Sequence, residues 1–341
     1  MKFGIVSIFP PVTDAVRRLR LAEQLDFDTF WVCDSHIIWN ECYSLLGYLA
    51  ASSQKPDMQF GTMVTNPVSR DPLVVASAFA TLRDLIGDGR LLCGIGRGDS
   101  AVRVVRRHPA RIAEIELAIR LIQDLTGGKT ATVDEATSVA MPWVSGASVP
   151  VYAAAYGARM LAAAGRTADG VIIECADPHY ISWALEHVRR GRESAGRDMT
   201  GFAVVSCTAT YVSDDLPAAR ERVRPFGAVV GNHVAETLRN TGANSLPPEL
   251  EAFITARPEY DYYKHVHTDR AQAGYVPDDI IDRLCIVGSI DRCSERVAEL
   301  RDAGVTHLNF YAQTENYDEH MQLYADHVLP TFRASAGART R

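Results

Sequence analysis

Eight short apolar runs, amphipathic helical stretches between them, and polar and glycine residues where the runs end predict an α/β fold: a (β/α)₈ TIM barrel with insertions. The runs begin at Lys2 (KFGIVSI), Thr29 (TFWVCDS), Met58 (MQFGTMV), Arg90 (RLLCGIG), Pro150 (PVYAAA), Gly170 (GVIIECA), Phe202 (FAVVSCTATYV) and His307 (HLNFYAQ). Runs that are apolar on both faces fit parallel strands covered by helices. Strict alternation of eight of them favours a closed barrel over an open doubly wound sheet.

The helical stretches include Val12–Leu25, Pro72–Ile86, Ala110–Leu125, Tyr180–Ala195 and Arg292–Ala303, with apolar positions three and four residues apart, as at Val16, Leu19, Leu21 and Leu25. Asp71-Pro72 and Asp177-Pro178 each place an N-cap carboxylate before a proline suited to the first helical position. The sequence reads as one barrel over residues 1–333, with insertions at about 127–149 and 236–284 and a disordered tail over 334–341. The first insertion reads as a hairpin and the second as a helical excursion through Pro247–Arg283 that shapes one face of the barrel.

Composition narrows the partners. The 341 residues carry 35 basic and 42 acidic side chains, net −7, which disfavours nucleic acid or an anionic membrane as the main partner. The seven cysteines form no CxxC pair and read as reduced, buried hydrophobes. The apolar run Phe3–Ile8 is too short for a signal peptide, and no run approaches the ~20 residues of a membrane helix, so a cytoplasmic protein is expected.

In such barrels chemistry gathers at the C-terminal strand ends. Strand 2 ends in Asp34-Ser35-His36, with Trp39 beyond; strand 3 in Val64-Thr65-Asn66; strand 4 in Gly94-Ile95-Gly96-Arg97-Gly98-Asp99; strand 5 in Tyr156-Gly157-Ala158; strand 6 in Glu174-Cys175-Ala176-Asp177. Asp34 and His36, two residues apart on an extended strand end, would share a face and could act as an acid/base pair or as a structural hydrogen bond. Gly94-x-Gly-x-Gly has neither the strand position nor the spacing of a dinucleotide fingerprint; its glycines read as letting backbone approach a flat ring or a substrate. His265-x-His267 lacks further ligands at a recognisable spacing, so no metal site is expected. Its surroundings (YDYYKHVHTDR) read as a polar lid whose Tyr262 and Tyr263, with His265, either contact a substrate or simply cover the barrel rim. No G-x-S-x-G elbow supports hydrolase chemistry.

The segments CDSHIIW (Cys33–Trp39), VTNPVSRDP (Val64–Pro72), GIGRGDSAVR (Gly94–Arg103), PVYAAAYGARMLAAAGRTADGVI (Pro150–Ile172) and GSIDRCSERVAELRDAGVTHL (Gly288–Leu308) together resemble the luciferase-like monooxygenase superfamily, and within it the coenzyme F420-dependent oxidoreductase branch. The resemblance implies a barrel of the bacterial-luciferase-like type and a homodimer. It also implies hydride transfer between the deazaflavin C5 and a small organic substrate, with FMN and O₂ chemistry as the alternative and a non-catalytic cofactor-binding barrel as a third reading. A separate cofactor reductase could serve as partner.

The resemblance further implies a non-prolyl cis peptide at Thr62–Met63. It places Asp34, Thr62, Met63, Thr65, Asn66, Gly96, Arg97 and Gly98 around the cofactor ring. Tyr156, Gly157, Ala158 and Arg159 would surround its phosphate, where helix-start N–H groups bind anions. Asp34, His36 and Asp99 would be catalytic, and Trp39 would contact substrate. The chain departs from the pattern in two places. Related enzymes often carry histidine directly after the aspartate, whereas here Ser35 stands there and His36 follows. Where some relatives carry a catalytic glutamate after strand 4, this chain has Gly98-Asp99-Ser100, so that either Asp99 substitutes or the acid is absent.

Overall fold

Strand β1 (Lys2–Ser7) is the seam of the barrel: it pairs in parallel with β2 (Thr29–Val32) on one side and β11 (His307–Ala312) on the other. In this computed structural model the structure describes residues 1–7, 12–241, 252–253, 255, 261–262, 273–312 and 316–333, with the backbone alone for 234–241 and 312. From β2 the parallel ladder continues through β3 (Gln59–Thr62), β4 (Leu91–Ile95), β7 (Val151–Ala154) and β8 (Gly170–Ile173) to β9 (Ala203–Val212), which pairs with β11 and closes the ring. These are the eight strands the apolar runs predict. Between β4 and β7, β5 (Ala131–Thr132) pairs antiparallel with β6 (Ser138–Val139) inside the segment read as a hairpin.

One strand escaped the sequence reading. β10 (Ile286–Gly288) pairs in parallel with Thr210–Val212, the end of β9 beyond its pairing with β11. Of the helical excursion, Asp278–Leu284 is helical; most of residues 236–272 and the tail 334–341 lie outside the described residues.

Inside the ring, large side chains fit against glycines. Trp31 stands opposite Gly61 across β2 and β3, where a Cβ on Gly61 would lie 2.4 Å from the indole ring. A Cβ on Gly4 would lie 2.0 Å from Thr29 Oγ1 and 2.2 Å from Asn309 Oδ1. Trp31 Nε1 donates to Thr29 Oγ1 at 2.9 Å, so the buried indole keeps its hydrogen bond. All seven cysteines are free and buried.

The helices begin as their capping residues specify. Asp71 accepts from Leu73 N at 2.8 Å, ahead of Pro72 at the start of a helix over Pro72–Ile86; Asp177 accepts from His179 N at 2.9 Å, ahead of Pro178 at the start of a helix over Pro178–Ser194. The latter helix packs against Ala158–Thr167 through glycines on both sides. A Cβ on Gly191 would stand 2.0 Å from the Ala162 carbonyl oxygen, and one on Gly165 2.2 Å from that of Val188. Both obstacles are backbone, so the added methyl must push the helices apart. Gly191→Ala is therefore expected to destabilise the fold by about 1–3 kcal/mol, read as a lower urea midpoint at unchanged slope. An unchanged midpoint would mean that the two helices can separate without cost.

Among the described residues no helix is long and apolar enough to cross a membrane.

Candidate active site

The C-terminal strand ends surround a cleft with about 1130 Å³ of empty space, part of it open to solvent. Its apolar surface comes from Met63, Val64, Ala154, Ile172, Phe226 and Val229, and its polar groups from Asp34, Asn66, Arg97, Asp99, Glu174 and His233. Trp39, Gly96, Gly98 and Tyr156 also line it.

The end of β3 gives one wall its shape. Met63 N still donates to Val32 O at 2.8 Å, so regular pairing with β2 extends through that amide, and the non-prolyl cis peptide falls at Met63–Val64. This corrects the expected Thr62–Met63 position by one residue. Thr65 N then donates to Gly94 O at 2.9 Å, and Gly96 N to Thr65 O at 2.8 Å, rejoining the chain to β4. Thr62 and Thr65 are fully buried and lie behind the surface formed by Met63 and Val64.

The glycines after β4 serve this wall. A Cβ on Gly94 would stand 2.1 Å from the Thr62 carbonyl oxygen, and one on Gly96 2.9 Å from Val64 Cγ2. Gly94 thus makes room for the neighbouring strand, a correction to its reading as a ring-approach residue, while Gly96 and Gly98 do reach the cleft. Gly98 has φ +93°, a conformation other residues seldom adopt.

Asp34 is at the cleft, but its carboxylate is occupied. It accepts from Arg70 Nη2 at 2.8 Å, Arg70 Nε at 3.1 Å and Thr65 Oγ1 at 2.9 Å, with its side chain at zero exposure. No hydrogen bond joins it to His36 among the described residues, so the expected acid/base pair is not assembled. His36 is not part of the cleft lining, and its Nδ1 is buried without a hydrogen-bond partner. The expectation treated residues 34–36 as extended; β2 ends at Val32, and Ile38 N and Trp39 N both turn back to Ser35 O, at 2.8 and 2.9 Å. The two-residue face rule therefore does not reach His36. Ser35 is the residue that lines the cleft there, its hydroxyl 2.5 Å from that of Ser100.

On another side stands a connected polar group. Glu174, just past β8, accepts from the Tyr311 hydroxyl at 2.5 Å and from the Tyr156 hydroxyl, and its Oε2 lies 2.7 Å from His233 Nδ1. His233 Nε2 lies 3.1 Å from Asp99 Oδ2. Asp99 is bonded in turn by Arg103 Nε at 3.1 Å, the Tyr262 hydroxyl at 3.2 Å and Asn232 Nδ2 at 3.3 Å. Burial alone would lift the Glu174 pKa, but the His233 charge and the donated hydrogen bonds outweigh it and hold the carboxyl at about 2. Burial would lower that of His233, yet Glu174 and Asp99 push it up to about 10. Both shifts favour the imidazolium form of His233 between two carboxylates. Burial raises the phenols of Tyr156 and Tyr311 well above their usual range.

His233 comes from the helix Leu216–Thr241, where Phe226, Val229 and His233 recur at helical spacing and all line the cleft. The sequence reading singled out neither His233 nor Tyr311, and it noted Glu174 only as a strand-end residue. The i, i+3, i+7 stripe is the signal that could have found His233.

The remaining expectations divide. Trp39, Asn66, Arg97 and Asp99 line the cleft, and Tyr262 reaches it through Asp99. Arg97 Nε donates to Ala110 O at 2.6 Å. Gly157 is the N-cap of the helix Ala158–Thr167, whose first turn borders the cleft at Met160; Ala158 is half-buried, and Arg159 is exposed and off the lining. Tyr263 and His265 lie outside the described residues.

The family model for luciferase-like monooxygenase matches residues 1–307. The chain is 30% identical to a 5,10-methylenetetrahydromethanopterin reductase of Archaeoglobus fulgidus over 90% of its own length and 92% of that protein's. It is 29% identical to an F420-dependent glucose-6-phosphate dehydrogenase of Beutenbergia cavernae, covering 92% and 91% of the two chains. The solved coenzyme F420-dependent tetrahydromethanopterin reductase of Methanopyrus kandleri superposes with a TM-score of 0.75 at 24% identity, over 97% of this chain and 99% of that one.

Proposed function

The chain belongs to the luciferase-like monooxygenase family, and from that premise we propose that it is a coenzyme F420-dependent oxidoreductase acting on a small organic substrate. The carrying observation is the cleft itself, an apolar slot with polar groups on it, in a chain whose relatives named for F420 align over nine-tenths of its length. Such a slot suits a flat heteroaromatic ring, which buries apolar faces and presents hydrogen-bonding atoms at its edges. Met63, Val64, Asn66, Gly96, Arg97 and Gly98 would hold the ring. The helix start at Tyr156-Gly157-Ala158 would hold the phosphate, with Arg159 outside the contact shell. Asp34, Thr62 and Thr65 act one step back, fixing the end of β3.

When bound, the reduced deazaflavin supplies a hydride from its C5. The chain's own residues orient the substrate beside it and exclude water. Trp39 lies half-buried at the cleft and would contact substrate, as would Tyr262 through its place beside Asp99. Tyr48, Val74 and Leu85, on two helices that pack together, are large apolar side chains at 62%, 67% and 75% exposure and would serve a homodimer.

The test is a titration of the apo-protein with F420, FMN and NADPH, followed by fluorescence. Saturable binding of F420, and of neither other compound, is the expected result. Tight FMN binding without affinity for F420 would overturn the cofactor assignment, and O₂ uptake with reduced FMN and substrate would then mark a monooxygenase fed by a separate reductase. Cofactor binding without turnover of any substrate would leave a binding barrel.

A further inference from the structure

We propose that His233 is the acid–base residue of this cleft, with Glu174 and Asp99 as the positioning residues that hold it. The inference rests on the oxidoreductase reading above and adds the residue that manages the proton. His233 lines the cleft with its side chain at 14% exposure, and a carboxylate oxygen stands within reach of each ring nitrogen. Only a doubly protonated imidazole donates from both nitrogens, so two carboxylate partners select the charged form. The groups facing it come from every neighbouring element: Asp99 after β4, Arg103 behind Asp99, Tyr156 after β7 with its hydroxyl 3.0 Å from Nδ1, Glu174 after β8, Tyr262, and Tyr311 on β11 behind Glu174.

His36, the histidine that the sequence places at a strand end, cannot take this part in the observed arrangement. His36 is off the cleft, and Ser35 fills the position beside Asp34. Asp34 is itself committed to Arg70 and Thr65. An imidazole thus enters the site from the helix after β9.

The chemistry this arrangement serves is reduction at a carbon doubly bonded to oxygen, and its reverse. As that carbon takes up a hydride, the C=O π pair moves onto oxygen and the His233 Nε2–H bond, the one held by the longer contact to Asp99 at 3.1 Å, breaks and gives its proton to that oxygen while Nδ1–H stays hydrogen-bonded to Glu174. One C–H and one O–H bond form, and the neutral imidazole regains a proton from solvent before the next turnover. An alkoxide is a far stronger base than imidazole, so the transfer runs downhill even from an imidazolium stabilised by two carboxylates.

The test begins on the full-length apo-protein with ¹⁵N-labelled histidine, following imidazole nitrogens by NMR from about pH 5 to about pH 10.5. His233→Asn and His233→Gln assign the resonance; should neither fold, the shift produced by Glu174→Gln marks it. Expected is a His233 protonated on both nitrogens at pH 7, whose titration midpoint falls when Glu174→Gln removes one partner. Turnover is then followed with acetone, cyclohexanone and benzaldehyde and whichever reduced cofactor, F420 or FMN, the protein binds. His233→Asn should lower kcat on the order of 10²–10⁴-fold with a much smaller change in KM. It should also remove the high-pH limb of the reduction rate.

A His233 that is neutral at pH 7 overturns the proposal. So does a loss of that limb in His36→Asn rather than in His233→Asn. Absence of turnover with all three probes overturns carbonyl as the accepting group. The NMR titration needs no cofactor, so its failure is separable from a failure of the F420 reading, which the binding titration alone reports.

Discussion

Arg70→Ala is expected to lower the stability of the fold by roughly 3–5 kcal/mol, the cost of stranding a buried charge whose partner has been removed. The stranded group is Asp34, whose side chain has no exposure and whose two oxygens accept from Arg70 at 2.8 and 3.1 Å. Thr65 supplies one further hydrogen bond and no charge. The guanidinium also reaches Glu41 at 2.9 Å and lies 5.1 Å from the centre of the Tyr43 ring, so the substitution removes a packed plane as well as a charge.

Lysine should restore little, because one ammonium cannot reproduce the forked pair of bonds or the stacking. The double variant Asp34→Asn/Arg70→Ala should cost less than the sum of the two single changes, since the second substitution no longer leaves a charge behind. Urea midpoints of the four proteins measure this. Additive losses, or an Arg70→Ala protein within 1 kcal/mol of wild type, would show that Asp34 is rehydrated or neutralised cheaply. The consequence for function follows from position: Cys33, Asp34 and Ser35 line the cleft, so what fixes Asp34 also fixes that wall.

The barrel was legible in the chain because each barrel strand is apolar on both faces and each crossover helix shows its own period. β10 was not, since Ile286–Gly288 is three residues long between helices Asp278–Leu284 and Ile290–Asp302, too short to show a period of two. The site was legible only where it is local. Asn66, Gly96, Arg97, Gly98 and Asp99 sit directly after strands, and strand ends can be read from a sequence. Glu174, His233 and Tyr311 meet across separations of 59 and 137 residues, and the one local signal among them is the stripe that His233 shares with Phe226 and Val229. His36 was misplaced for the opposite reason: a local rule was carried past the point where the strand had become a turn. Gly94 carries the same lesson, because the atom that requires a glycine there belongs to Thr62 of the adjacent strand.

Glu174→Gln should be about as damaging as Arg70→Ala, roughly 3–5 kcal/mol, with a dependence on pH that extends into the alkaline range. Glu174 has a folded pKa held down to about 2 against the usual 4.5, so its contribution is complete above pH 4.5 and is lost as pH falls through about 2. His233 has a folded pKa raised to about 10 against the usual 6.5, so its contribution is complete below pH 6.5 and declines as pH rises through about 10. Both are complete between pH 4.5 and 6.5. In Glu174→Gln the imidazole keeps Asp99 but loses its other carboxylate, and its folded pKa moves back toward 6.5. The variant therefore has less alkaline stability to lose, and its deficit relative to wild type should be widest near pH 5.5 and narrow steadily towards pH 10. Unfolding free energies in urea at several pH values across that interval give the result directly. A deficit that stays constant with pH would mean that glutamate and histidine are not exchanging charge, and that the cluster is held by shape and neutral hydrogen bonds alone.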